Sequence, residues 1–290
     1  MAFPWYLWAL LSAGALTITS VMEKKMLIKE HAMEFAATRS VFSLILVMLL
    51  IPFIQIDIGW KSVLLIFVLS WVVTIGLLYR FKAVRHLELS TVSPLMNLSS
   101  LFLLVIAYLV LGEVLSPLQL AGLFFIVGGA YFLEVSSHST GLLEPFKRLF
   151  KSRHMIYVLL VTLAFSFTAT IERLLITTQI EVFTYFFLLW LFLSLNFIVL
   201  DYVKFDLREI KHDLQHRSWR HFFCAFFHFI AALFYFKALS MAFVTLVVPI
   251  KRLSTLATTV VGGKMFHEER VALKSVACVL MIFGTVLIVL

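Results

Sequence analysis

Ten runs of apolar residues, each about long enough to cross a lipid bilayer, divide this chain, at approximately 3–22, 34–54, 61–80, 88–110, 116–135, 155–175, 182–203, 219–240, 242–263 and 270–290. A helix rising about 1.5 Å per residue crosses a hydrocarbon core of roughly 30 Å in some 20 residues. Spans of that length use up most of the 290 positions, so no loop is left for a separate soluble domain. The runs are continuously apolar, which favours a helical bundle over a barrel, whose strands change face at every residue. A composition of 62% hydrophobic and 14% charged residues lies outside the range of soluble domains. The fold class expected is an all-α membrane protein of ten transmembrane helices.

The first run has no Lys or Arg ahead of it and no clean small-residue cleavage site behind it, so it reads as a span and not as a secretory signal. Cys224 and Cys278 both lie inside spans, which indicates core residues and neither a disulfide framework nor a thiolate metal site. The net charge of +8 is a topology signal, not a mark of nucleic-acid binding. Alternate connections collect Lys24, Lys25, Lys29, then Arg80, Lys82, Arg85, then Lys147, Arg148, Lys151, Arg153, then Lys204, Arg208, Lys211, Arg217, Arg220, and last Lys264 and Arg270, 17 cations on one face. The opposite face has 3, Lys61, Arg173 and Lys237. By the positive-inside rule the crowded face is cytoplasmic and both termini lie outside.

The ninth run, 242–263, carries adjacent cations, Lys251 and Arg252, near its middle. A Lys or Arg at that depth costs roughly 2.5–3.5 kcal/mol on insertion scales, so the pair needs a wet or protein-lined surrounding. On a helical wheel Thr245, Lys251, Arg252, Ser254, Thr255, Thr258 and Thr259 fall on one half, with Leu246, Ile250, Leu253, Leu256, Ala257, Val260 and Val261 on the other. Val247 and Val248 interrupt the polar half. Acidic residues are nearly absent from the other apolar cores and stand at span ends, so the expected role of the pair is to line a polar cavity that receives an anion. Neutralising carboxylates of a neighbouring helix is the competing role.

Other polar residues are fewer. Arg39 lies a turn or two inside span 2, where snorkelling to the interface is expected. Span 4 has a stripe of Ser90, Ser93, Asn97 and Ser100 around Pro94, which either glues helices together or joins the cavity. His221, His228 and Tyr235 recur every seven residues on span 8, with His228 near midmembrane, as a packing residue or a proton relay. Glu113 and Glu268 end matching spans and are expected to satisfy backbone donors or basic side chains there. Residues 136–154 read as an amphipathic linker on the cytoplasmic interface and 204–217 as a solvated connector. No HExxH, phosphate-binding loop or nucleophile elbow occurs, so an enzyme is not expected, nor a cofactor or metal.

The chain repeats itself. A shift of 155 places Lys82-Ala83 on Lys237-Ala238, Pro94 on Pro249, Glu113 on Glu268 and Gly129 on Gly284, and a shift of 149 places Glu23-Lys24 on Glu172-Arg173. Five spans per copy is an odd number, so the copies, 3–135 and 155–290, enter the membrane from opposite sides as two inverted-topology five-helix repeats. Asn97 then falls on Arg252, Ser100 on Thr255 and Ser90 on Thr245, so one copy presents a neutral polar face where the other is cationic.

The repeat endings YLVLGEVLSPLQLAGLFFIVGGAYFL and GGKMFHEERVALKSVACVLMIFGTVLIVL, with ten spans and a five-helix duplication, resemble the drug/metabolite transporter superfamily, in particular its EamA-type branch. That resemblance implies a carrier of small metabolites working by alternating access, often outward. The sequence departs from the family in lacking the tryptophan often found in the first helix of each repeat and in having Ala277 where the first copy has Gly122. Many members have cytoplasmic termini, opposite to the charge count followed here. The Lys251-Arg252 pair is similar to the phosphate-binding pair of plastid sugar-phosphate translocators.

The function expected is a secondary active transporter of a small anionic or zwitterionic metabolite, plausibly an exporter in a bacterial or archaeal plasma membrane. Its substrate site is expected at Lys251, Arg252, Asn97, Ser93, Ser100, Thr255, His228 and Tyr235. Partners are the small-molecule substrate, the lipid bilayer and a coupling proton or counter-substrate, with no nucleic acid, in a monomer or homodimer. A flippase for an anionic lipid-linked solute and a non-transporting receptor or scaffold are the alternatives.

Overall fold

The structure, a computed structural model, describes residues 3–55, 58–86, 96, 99–138, 153–205, 218–254, 257–258, 261 and 271–290, with the backbone alone at 130, 133–138, 153–155, 218 and 271–278. Ten α-helices run through the described residues: α1 (Trp5–Leu27), α2 (Ala32–Met48), α3 (Trp60–His86), α4 (Ser99–Leu111), α5 (Pro117–His138), α6 (Arg153–Thr178), α7 (Val182–Phe205), α8 (Ser218–Met241), α9 (Val244–Lys251) and α10 (Val271–Val289). Five of them, α1, α3, α6, α7 and α8, are long and apolar enough to cross a membrane within the described residues. No strand occurs among those residues. The linker expected at 136–154, apart from its ends, most of the 204–217 connector, and Pro94 with its neighbours fall outside them.

Local chemistry sets the helix ends. His31 begins α2 by donating its backbone N–H to the Glu34 carboxylate at 3.0 Å. Ser116 and Gln119 cap α5 reciprocally around Pro117, whose missing N–H costs nothing in a first turn. Glu181 accepts the Phe183 and Thr184 N–H groups at 2.7 and 3.1 Å and so starts α7. Gly112, with φ of 65°, ends α4 in the left-handed conformation that a glycine adopts without strain, and thereby aims Glu113 at the start of α9.

The packing repeats as the sequence does. Exchanging each helix for the one five places along turns the α1–α8 contact into α6–α3, α1–α9 into α6–α4 and α2–α8 into α7–α3, and leaves α2–α7 and α5–α10 in place. All of these contacts occur, so the two five-helix copies are related by a pseudo-two-fold axis, and their odd helix number makes them inverted. Individual bonds obey the same rule. Lys24 donates to the Val84 carbonyl at 2.7 Å, and its counterpart Arg173 donates to the carbonyl of Leu239, the counterpart of Val84. At α5–α10 the backbones nearly touch: a methyl at Gly122 would stand 2.6 Å from the Gly284 carbonyl oxygen, and one at Gly284 2.5 Å from that of Gly122.

Three expectations are corrected. Arg39 does not snorkel: it is 4% exposed and ion-paired with Glu23 at 2.8 Å, because α1 runs a turn past its expected end and carries that carboxylate inward. Acids therefore do reach the interior, at Glu23 and also at Glu172 on α6. The ninth span is not one even, two-faced helix. α9 ends at Lys251, Arg252 lies in a turn, and helical residues resume at 253–254. Pro249 withholds the donor that the carbonyl of Thr245 would otherwise receive, which weakens the ladder where the two cations stand. Every residue from Val244 to Ile250 is buried, so this helix runs through the middle of the bundle with protein on both of its halves.

Candidate functional site

A cavity lies on the pseudo-two-fold axis between the copies. The space open to water centres is about 210 Å³; at a water's share of liquid volume, roughly 30 Å³, it holds on the order of seven waters, or a small metabolite. Its lining comes in symmetry pairs. Thr19 pairs with Thr168, Glu23 with Glu172, Val73 with His228, Arg80 with Tyr235, Met96 with Lys251, Ser99 with Ser254 and Leu103 with Thr258. Of the first copy's described lining residues only Val84 lacks its shifted partner in the wall.

Lys251 and Arg252 both face this cavity, at the break after α9. The Lys251 ammonium sits 3.5 Å from the centre of the Tyr235 ring, a close cation–π contact. Arg252 Nε donates to Ser99 Oγ at 3.2 Å. Tyr235 in turn directs its hydroxyl at the Glu172 carboxylate, 3.4 Å away. Across the cavity Glu23 accepts from Arg39 Nη1 and Arg80 Nη2, each at 2.8 Å, using both oxygens. Among the described residues the wall thus carries three cations, Arg80, Lys251 and Arg252, and two carboxylates, Glu23 and Glu172.

Four of the eight expected site residues line the cavity: Lys251, Arg252, Tyr235 and His228, whose ring stands 5.5 Å from that of Trp190. Ser100 does not. It is buried behind the wall and its neighbour Ser99 takes the place, because a one-residue step on α4 turns the side chain by about 100°. Ser93, Asn97 and Thr255 lie outside the described residues. His221 shares a helix face with His228 but sits two turns away, buried against Glu30 at 3.1 Å. Glu113 does what its place at a span end suggests: it accepts the Val244 and Thr245 N–H groups and the Thr245 hydroxyl, capping α9. Sequence reasoning missed Glu23, Arg80 and Glu172. The signal for the two acids was present in the 149-residue overlay, where they were matched to each other but placed at a membrane boundary.

The family model for EamA-like transporters matches residues 3–135 and 152–290. No curated protein sequence matches the chain. Solved structures do, among them a crystal structure 12% identical in sequence, matched over 98% of this chain and 94% of its own with a TM-score of 0.66, a likeness of fold.

Proposed function

We propose, from the premise that this chain belongs to the EamA-like transporter family and is a multi-pass membrane transporter of the drug/metabolite type, that it moves a small metabolite bearing an acid group, anionic or zwitterionic, by secondary active transport with alternating access. The observation that carries this reading is the axial cavity in which Lys251, Arg252 and Arg80 outnumber the carboxylates. A charged pair halfway through a membrane is retained where it has a ligand or a counter-ion to meet. Here the cations border a space of metabolite size.

Residues 3–135 and 155–290 act as the two moving units in this scheme, joined by 136–154. They rock about the axis, and the solute's carboxylate or phosphate replaces water against Lys251 and Arg252, with Ser99, Ser254 and Thr258 offering hydroxyls beside them. One chain encloses the cavity, so a monomer suffices. The cation-rich loops favour termini outside the cytoplasm, and outward transport follows the family's habit.

The test is Lys251→Met with Arg252→Met in proteoliposomes, beside a thermal-shift panel of amino acids, sugar phosphates and nucleotides on the purified chain. A bound solute raises apparent stability by mass action. Loss of the stabilising shift and of flux in a variant that unfolds no earlier than the parent supports the site. Undiminished anion transport by the double variant removes it.

A further inference from the structure

Two carboxylates occupy equivalent places in the cavity and are not treated alike. Glu23 is clamped by two guanidinium groups at 2.8 Å. Glu172, its repeat counterpart and 7% exposed, receives the Tyr235 hydroxyl at 3.4 Å and joins none of the ion pairs formed among the described residues. The reason lies in position 80 and its shifted counterpart, which is arginine in the first copy and Tyr235 in the second. Tyr235 stands between Glu172, at its hydroxyl, and Lys251, over its ring. Lys251 and Glu172 therefore face one cavity with opposite charges held apart by an aromatic ring.

An ionised carboxylate in such a place is tolerated only while a nearby cation offsets its lost hydration. Once a solute's acid group engages the Lys251 ammonium, that offset is cancelled, and a proton becomes the replacement. We propose that Glu172 is the proton-carrying residue of this transporter, coupled through Lys251 to the solute, so that an anion and a proton bind together and cross together, outward where the solute's own gradient drives the pair. The inference rests on the reading of the cavity as an anion site. A proton delivered as hydronium from the open side adds to a Glu172 carboxylate oxygen when the anion arrives, leaving water, and on the far side the same O–H bond breaks and returns the proton to water as hydronium when the anion leaves. Because such coupling is reciprocal, a proton on Glu172 also frees Lys251 to hold the anion.

The other ionisable groups around Glu172 do not replace it. Arg80 on α3 is committed to Glu23, and Glu23 on α1 to Arg39 and Arg80. From α7 comes only the Tyr185 hydroxyl, buried and without a hydrogen-bond partner. α8 supplies His228, against Trp190, besides Tyr235. Arg252, beyond α9, contacts Ser99, and Arg173 on α6 itself turns to Leu239 and Glu113. From α4 the uncharged Ser99 lines the same cavity.

Infrared difference spectroscopy on the full chain in detergent, with sodium sulfate as a permanently ionised anion, tests this. In the parent, sulfate is expected to raise a protonated-carboxyl band, and sulfate affinity to fall about tenfold per pH unit across the range in which one proton is taken up. Glu172→Gln should lose the band and the pH dependence while still binding sulfate. Lys251→Met should show the band without sulfate, and Lys251→Met with Glu172→Gln should not. A sulfate-induced band that survives in Glu172→Gln, or a Lys251→Met protein whose carboxyl band matches the parent's at every pH, overturns the proposal. Sulfate leaving the parent unchanged while Lys251→Met gains the band would support the coupling and count against the anion site itself.

Discussion

The two halves of the cavity wall share one backbone plan and differ in where their polar groups go. In the first copy the charges satisfy each other, Glu23 with Arg39 and Arg80, and much of the remaining wall is apolar: Val73, Leu77, Met96 and Leu103. At the equivalent places the second copy has His228, Ala232, Lys251 and Thr258, with Glu172 loosely held. Duplication leaves two versions of every position, and here one version braces the bundle while the other turns its polar groups to the cavity. The difference teaches that a buried charge has to be judged by its partners and not by its depth.

The sharpest way to break this comparison is to remove the same atom from each acid. Glu23→Gln strips the charge from a carboxylate that satisfies two buried guanidinium groups, and breaking such a pair costs about 3–5 kcal/mol because the partners are left uncompensated. Glu172→Gln removes one long hydrogen bond and is expected to cost less than about 1 kcal/mol. Denaturant or thermal unfolding of the two variants side by side reads the difference. Equal losses would mean that the copies are braced alike.

The bundle was legible in the sequence because ten apolar runs leave no other way to satisfy the backbone in lipid, and the overlay was legible because Lys82, Pro94, Glu113 and Gly129 recur at one spacing. Lys251 and Arg252 stood out because charge is conspicuous in an apolar run. Glu23, Arg39, Arg80 and Glu172 did not, since each lies near a span end where a charge ordinarily meets water. Only packing tells that α1 and α3 carry Glu23 and Arg80 into the bundle, where Arg39 of α2 meets them. Ser99 and Ser100 are equivalent in a polarity pattern, and the rotation of α4 that separates them is decided by its neighbours.

Where the last helices of the two copies press on each other reciprocally, similar penalties are expected. Gly122→Ala and Gly284→Ala each push a methyl against the other helix's carbonyl oxygen, at 2.6 and 2.5 Å before relaxation. Overpacking of this kind costs about 1–3 kcal/mol. The two single variants should lose similar stability, and the double variant less than their sum, because one displacement of α5 from α10 relieves both. Strict additivity would show that the helices do not share this contact.

A smaller effect tests the repeat beyond the described residues. Glu113→Ala removes the acceptor of two α9 backbone donors and the Thr245 hydroxyl, and loss of a cap costs about 0.5–2 kcal/mol. The shift of 155 carries Glu113 to Glu268, so Glu268→Ala is expected to cost the same within a few tenths of a kcal/mol. An indifferent Glu268→Ala would confine the symmetry to the helices and exclude the turns that join them.

The smallest expected change separates glue from site. Ser166 on α6 donates to the Ser99 carbonyl at 3.0 Å and lines the cavity beside Thr168, so it looks like part of the wall that a solute touches. Its hydroxyl, however, also has its own helix's Thr162 carbonyl within 2.9 Å as an alternative acceptor. An interhelical hydrogen bond inside a membrane is worth about 0.6 kcal/mol on average, and Ser166→Ala should cost no more than that, with flux close to the parent's. If flux falls tenfold while stability holds, the hydroxyl contacts the solute, and the second copy's share of the binding surface extends from α9 onto α6.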